Sequence, residues 1–189
     1  MDVVFRRTGA RRYAVRVERK DSPTLEMNPA PGYDARLPHD LLHFVVEAEL
    51  GLSLGIFGQL AVGGDAGSFH LAPSSSTARE RSRHMRRIKK RGERLARDGH
   101  REAQLSERAV VIFENEWTGR DSARRVRRAL SPSSQRVLAK CSERERELFS
   151  EETILRVFRR LDQVSARWSR LQVGGSMTLP WPGHGRSAA

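Results

Sequence analysis

Two kinds of hydrophobic pattern divide the chain. Near the amino terminus, Tyr13, Val15 and Val17 occupy every second position, which predicts a half-buried strand within a hairpin over residues 2–19. Further on, apolar residues recur every three or four positions. This spacing predicts helices over residues 38–50 and 56–62, from residue 105 onward, and after a cap at Ser150.

The remaining segments complete the predicted fold. The Pro- and Gly-rich residues 28–33 predict a loop, and residues 71–77 a linker. Residues 171–181 are strand-like, and Pro180 favours an edge position for that strand. We therefore expect an α+β fold, mainly helical, with a small antiparallel sheet formed by the N-terminal hairpin and a C-terminal strand.

One predicted helix, residues 38–50, combines an apolar surface with a narrow polar wedge. At about 100° per residue, the four polar side chains fall within about 100° of one another. They are His39, Asp40, His43 and Glu47. A helix this apolar is expected to be buried, and buried charged groups must be paired, hydrogen-bonded or bound to a metal. The polar wedge therefore predicts a site.

A divalent metal ion is the leading interpretation of this wedge. Two His residues at positions i and i+4 present both imidazoles to one point, as in zinc-binding helices. Glu47 follows one turn later as a third ligand, and Asp40 could ligate or accept a hydrogen bond from a ligand histidine. Zinc is the first candidate, with Fe²⁺ and Mn²⁺ as alternatives, and any reaction on a small-molecule substrate would be metal-assisted hydrolysis. A buried hydrogen-bond network and another active-site role remain open interpretations.

Acidic residues farther along the chain could supply additional ligands. Glu114 and Glu116 lie on the predicted helix that follows residue 105 and could complete the site. Solvated surface carboxylates are the competing interpretation of this pair.

Two resemblances bear on the same residues. The stretches PHDLLHFVVE (residues 38–47) and VGGSMTLPWP (residues 173–182) resemble a family of uncharacterised bacterial proteins, which implies no function. The segment HDLLH (residues 39–43) is similar to the HDxxH metal motif of the Coq4-type coenzyme Q biosynthesis proteins. That motif also has a Glu twelve residues after its second His, where this chain has Gly55. The second resemblance thus implies a metal site in which Glu47 or Glu49 takes the role of that Glu.

Positive charge is concentrated in one segment. The chain has a formal net charge of +12, and residues 79–101 contribute +8 of it. This segment predicts an alternative function, nonspecific binding of nucleic acid or an adaptor role, with the polar wedge being structural. The candidate contacts are Arg83, Arg86, Arg87, Lys89, Lys90 and Arg91. The segment has no aromatic residue for base stacking, so an acidic protein, an anionic membrane surface and a solvated arm are further alternatives.

Length and composition predict one domain over residues 1–189, with residues 74–104 as a basic, helical arm within it. Cys141 is the single cysteine, which excludes an intrachain disulfide and suits a reducing cytoplasm. The amino terminus does not resemble a secretory signal. The longest uncharged run, residues 50–64, is shorter than the roughly 20 apolar residues of a membrane span. We expect a cytoplasmic protein without a transmembrane segment.

Overall fold

A five-stranded antiparallel sheet with helices packed against one face forms the framework of the protein. The computed structural model describes residues 1–74, 77–119 and 130–182. The strand order is β4-β3-β2-β1-β5. The strands are β1 (Asp2–Gly9), β2 (Arg12–Glu18), β3 (Leu25–Ala30), β4 (His70–Leu71) and β5 (Ser176–Pro180). Both the α+β class and the joining of the N-terminal hairpin to a C-terminal strand are confirmed.

The register of the sheet places one apolar side of each strand against the helices. Phe5 of β1 lies opposite Val15 of β2 and opposite Met177 of β5. All three side chains are buried. Strand β5 is an edge strand and ends at Pro180, as expected for a residue that lacks a backbone N–H donor.

Strands β3 and β4 depart from the sequence prediction. Residues 28–30 were expected in a loop but form the end of β3. Pairing of Tyr13 with Ala30 and of Val15 with Met27 leaves an extra residue on β3, and Pro29 lies in this irregularity. A bulge accommodates a proline that a regular ladder would not. Strand β4 has two residues, too few for a periodic pattern.

Several helices lie where the sequence predicts them, but the helix expected from residue 105 begins at His100, and the short helices over residues 132–138 and 143–146 were not predicted. The helices are α1 (His39–Leu50), α2 (Ile56–Ala61), α3 (Ala78–Asp98), α4 (His100–Thr118), α5 (Pro132–Leu138), α6 (Glu143–Arg146) and α7 (Glu151–Ser169), with a 3-10 turn at Glu147–Phe149. Gly51 ends α1 in the left-handed region, with a φ of 68°. The Ser150 side chain accepts a hydrogen bond from the Thr153 amide and caps α7. Among the described residues, no helix is long and apolar enough to cross a membrane.

Helix α1 lies at the centre of the core. It contacts α2, α4 and α7, and Phe44 packs edge-on against Phe5 of the sheet. Glu49 is the one carboxylate on its otherwise apolar side, and Arg156 of α7 pairs with it at 3.1 Å. Because α1 is enclosed in this way, polar side chains on its inner faces need partners from neighbouring elements.

Candidate metal centre

The imidazoles of His39 and His43 approach each other near the amino-terminal end of α1, beside α4. His43 is only 1% exposed, whereas His39, in the first turn, is exposed. Their Nε2 atoms lie 3.1 Å apart. Two nitrogen ligands of a tetrahedral zinc ion, each about 2.0–2.1 Å from the metal, are separated by about 3.3 Å. The separation of the two Nε2 atoms is therefore close to that of two ligands of one cation.

Glu107 of α4 supplies a third donor. Its Oε1 lies 3.8 Å from His43 Nε2, and its side chain is 64% exposed. One donor atom from each of His39, His43 and Glu107 lies within 4.8 Å of the other two, so this group could hold a metal ion. In the described part of the chain it is the single His, Cys, Asp or Glu group with this property. Since two of its members are exposed, the site opens to solvent.

A hydrogen-bond relay fixes the orientation of His43. Ser106 donates its hydroxyl proton to Glu47 Oε1 at 2.7 Å, and Ser106 Oγ lies 3.1 Å from His43 Nδ1. Having given its only proton to the carboxylate, the hydroxyl must accept from Nδ1–H of the imidazole. His43 then presents the lone pair of Nε2 toward His39 and Glu107. We call His43, Ser106 and Glu47 the His43 relay.

Glu47, predicted as the third ligand, lies on the opposite side of His43 and outside the three-residue donor group. Its side chain is fully buried. The carboxylate accepts hydrogen bonds from the backbone N–H groups of Ile56 at 2.8 Å and Phe57 at 2.9 Å, at the start of α2. These amides have no partner within their own helix, and the helix dipole favours a negative charge there.

Gly55 makes room for this carboxylate. A Cβ atom at position 55 would lie 2.4 Å from Glu47 Cδ, closer than real Cβ contacts allow. The HDxxH-type motif that this chain resembles has a Glu at this position. Here the position is a glycine, and the Glu47 carboxylate occupies the space beside it.

Asp40 also lies outside the donor group and faces the sheet. Its carboxyl oxygen Oδ2 is hydrogen-bonded to the Tyr13 hydroxyl, which also contacts the carbonyl of Pro31. Burial raises the pKa of Asp40, against the opposing effects of the Tyr13 hydrogen bond and the two histidines. Burial, followed by the Asp40 charge, likewise raises the pKa of Tyr13. A hydroxyl has one proton, so both contacts of Tyr13 are satisfied when Asp40 is protonated.

The sequence did not point to Glu107 or Ser106. Glu107 is an exposed carboxylate on a helix, indistinguishable by pattern from its surface neighbours. Ser106, next to Leu105, is the one polar residue among the buried positions of α4. A polar residue on the core side of this helix was the only signal of a hydrogen bond there. Of the other acidic candidates, Glu116 accepts hydrogen bonds from the amide and hydroxyl of Ser131, whereas Glu114 is exposed.

Comparisons with protein-family models, with curated proteins and with solved structures found no significant match to this chain. The chemistry that the site could support therefore rests on its own geometry. Two neutral imidazole nitrogens and a carboxylate oxygen suit a borderline divalent cation. Exposure of His39 and Glu107 leaves space beside such a cation for water or a substrate oxygen.

Proposed function

We propose that this protein binds a divalent metal ion, zinc in the first place, through His39, His43 and Glu107, and uses it for metal-assisted hydrolysis. The observation that carries the proposal is the convergence of the two Nε2 atoms at 3.1 Å while the relay holds His43 in the ligand-competent tautomer. In that tautomer the Nε2 lone pair of His43 faces the other two donor atoms, His39 Nε2 and Glu107 Oε1.

The donor set supports zinc over harder cations. Magnesium and calcium prefer sites made wholly of oxygen ligands, whereas zinc takes imidazole nitrogen together with carboxylate oxygen. Catalytic zinc sites keep three protein ligands and one open position, and the count of donors here is three. A zinc ion in this position would supply Lewis acidity to a water or substrate oxygen.

The protein's own residues divide into a fixed and an adjustable part. His43 is buried and held by Ser106, so its position is set before a ligand arrives. Glu47 Oε1 lies 3.7 Å from His43 Nδ1, and Ser106 bridges the two groups, so the carboxylate helps to fix the orientation of the imidazole. His39 and Glu107 are exposed, so their side chains can rotate. Rotation of Glu107 would bring its Oε1 closer to His43 Nε2 than the present 3.8 Å.

Titration of zinc into protein purified without an affinity tag and treated with chelator tests metal binding. We expect one zinc ion per chain, and His43→Ala should abolish stoichiometric binding. Glu107→Gln should weaken binding by at least the roughly 10–100-fold seen for outer-shell changes. Glu114→Gln, an exposed carboxylate two turns away on α4, is the matched control and should bind as the unaltered protein does. No stoichiometric zinc, or equal effects of Glu107→Gln and Glu114→Gln, would overturn the proposed site.

Hydrolysis has a separate test. The zinc-loaded protein is assayed on chromogenic carboxylic and phosphoric esters, at metal ratios from zero to two equivalents. The proposal expects a hydrolysis rate that saturates at one equivalent and disappears in His43→Ala. Stoichiometric zinc binding without any metal-dependent hydrolysis across the panel would refute the hydrolytic part and leave metal binding standing.

A further inference from the structure

Helix α3 packs against the rest of the protein along one side. Its buried positions are Ile88, Gly92 and Leu95. Gly92 allows close approach, since a Cβ there would lie 2.1 Å from Asp65 Oδ1. At the amino-terminal end, the Arg81 guanidinium donates to the carbonyl of Ala72 at 3.0 Å, next to β4. The opposite side of α3 therefore faces solvent.

Six cations form a straight line along that outer side. At about 100° per residue they fall within a wedge of about 80°, and the wedge lies roughly opposite the buried positions. All six are exposed. We call them the basic stripe: Arg79, Arg83, Arg86, Lys90, Arg94 and Arg97. At 1.5 Å per residue the stripe is about 27 Å long, with about one positive charge per helical turn.

The charges of the stripe are uncompensated. Within the described ranges, no Lys or Arg of α3 forms a salt bridge, although α3 contains Glu80, Glu93 and Asp98. Glu80 is used at the helix start, where it accepts a hydrogen bond from the Thr77 amide. A row of unpaired like charges costs self-repulsion, and a partner carrying negative charges along its length would relieve it.

We propose that the basic stripe binds the phosphate backbone of a nucleic-acid duplex without sequence preference. A row of regularly spaced cations fits an anion whose charges also repeat along an axis, rather than a single small anion. About 27 Å corresponds to about eight base pairs at 3.4 Å each. The stripe contains only Arg and Lys, with no aromatic residue for stacking and no Asn or Gln for reading adenine, so the contacts are to the backbone.

An anionic membrane is the less fitting partner. Amphipathic helices that lie on membranes insert large apolar side chains beside their cations. The exposed large hydrophobic residues of the described chain are Val111, Leu155 and Val173, and all lie outside α3. The large apolar residues of α3, Met85, Ile88 and Leu95, pack against the protein.

Salt dependence of duplex binding tests the proposal on the full chain. Binding to a fluorescent 24-base-pair DNA is measured between 50 and 200 mM salt, and the slope of log K against log salt gives the number of phosphate contacts at about 0.9 each. Six contacts predict a slope near −5. A second duplex of unrelated sequence should give the same affinity.

Two triple variants with equal loss of charge separate the stripe from net charge. The stripe variant carries Arg83→Gln, Arg86→Gln and Lys90→Gln, and Gln is a good helix former. The control variant carries Arg11→Gln, Arg12→Gln and Lys20→Gln, at exposed positions around the first hairpin. We expect the stripe variant to reduce the magnitude of the slope by about 2.7 and the control to leave it unchanged.

Other outcomes would overturn the proposal. Equal changes in both variants would show a net-charge effect without a defined surface. Binding to vesicles of phosphatidylglycerol but not to duplex would assign the stripe to a membrane. Competition by polyglutamate as strong as by duplex at equal charge would assign it to an acidic protein.

Discussion

Removal of the Ser106 hydroxyl should weaken both the fold and the metal site by calculable amounts. Ser106→Ala deletes the hydrogen bond to the buried carboxylate of Glu47 and leaves Nδ1–H of His43 without its acceptor. Hydrogen bonds to charged groups contribute about 1.5–3 kcal/mol. Glu47 keeps its two bonds from the α2 amides, so we expect a loss of about 2 kcal/mol in the free energy of unfolding. For a chain of this length that loss lowers Tm by about 4–8 °C.

The same substitution should reduce zinc affinity by about 10–100-fold, because His43 is no longer held in one tautomer and ring orientation. Urea unfolding gives the stability change, and competition with a chelator of known affinity gives the zinc dissociation constant. Ser165→Ala is the matched control, since Ser165 is a buried helical serine whose hydroxyl donates to the carbonyl of Arg36. The control should lose stability without losing zinc affinity. Unchanged zinc affinity in Ser106→Ala would refute the role of the relay.

Three further predictions concern the surroundings of the site. Gly55→Ala should cost about 1–3 kcal/mol of stability by urea unfolding, because its Cβ would collide with the Glu47 carboxyl, and a neutral effect would contradict that placement. Gly51→Ala should cost only about 1 kcal/mol, since φ there is 68° but no atom lies within 4 Å, and a loss as large as that of Gly55→Ala would contradict this distinction. Asp40→Asn should flatten the pH dependence of Tm. With a pKa above the ordinary 3.8, folded Asp40 holds a proton that the unfolded chain releases, so stability should fall as pH rises through that raised value. A pH profile of Tm that is unchanged by the Asp40→Asn substitution would contradict the raised pKa.

The elements that could be predicted from the sequence are those with a periodic pattern of apolar residues. Helix α1 was expected over residues 38–50 and spans His39–Leu50, because an apolar surface with Pro at its start and Gly at its end is unambiguous. Strand β4 pairs only two residues with β3, and β3 contains Pro29, so neither leaves a readable alternation.

The candidate metal centre could likewise be predicted only in part. The helical spacing of α1 identified both histidines as a candidate pair of ligands, because side chains at positions i and i+4 are neighbours on any helix. It could not distinguish which carboxylate faces them. Glu47 turns toward the α2 amides and Glu107 faces the histidines, and both facts depend on how α2 and α4 pack against α1. Contacts between elements distant along the chain carry no signature in a single sequence.

Anomalous diffraction from crystals of the zinc-loaded protein, measured at the zinc absorption edge, would show whether and where zinc binds. We expect one anomalous peak about 2.0–2.1 Å from Nε2 of both His39 and His43, with a carboxylate oxygen of Glu107 in contact. Absence of a peak between the two histidines, or a peak bound by Glu47 in place of Glu107, would contradict it.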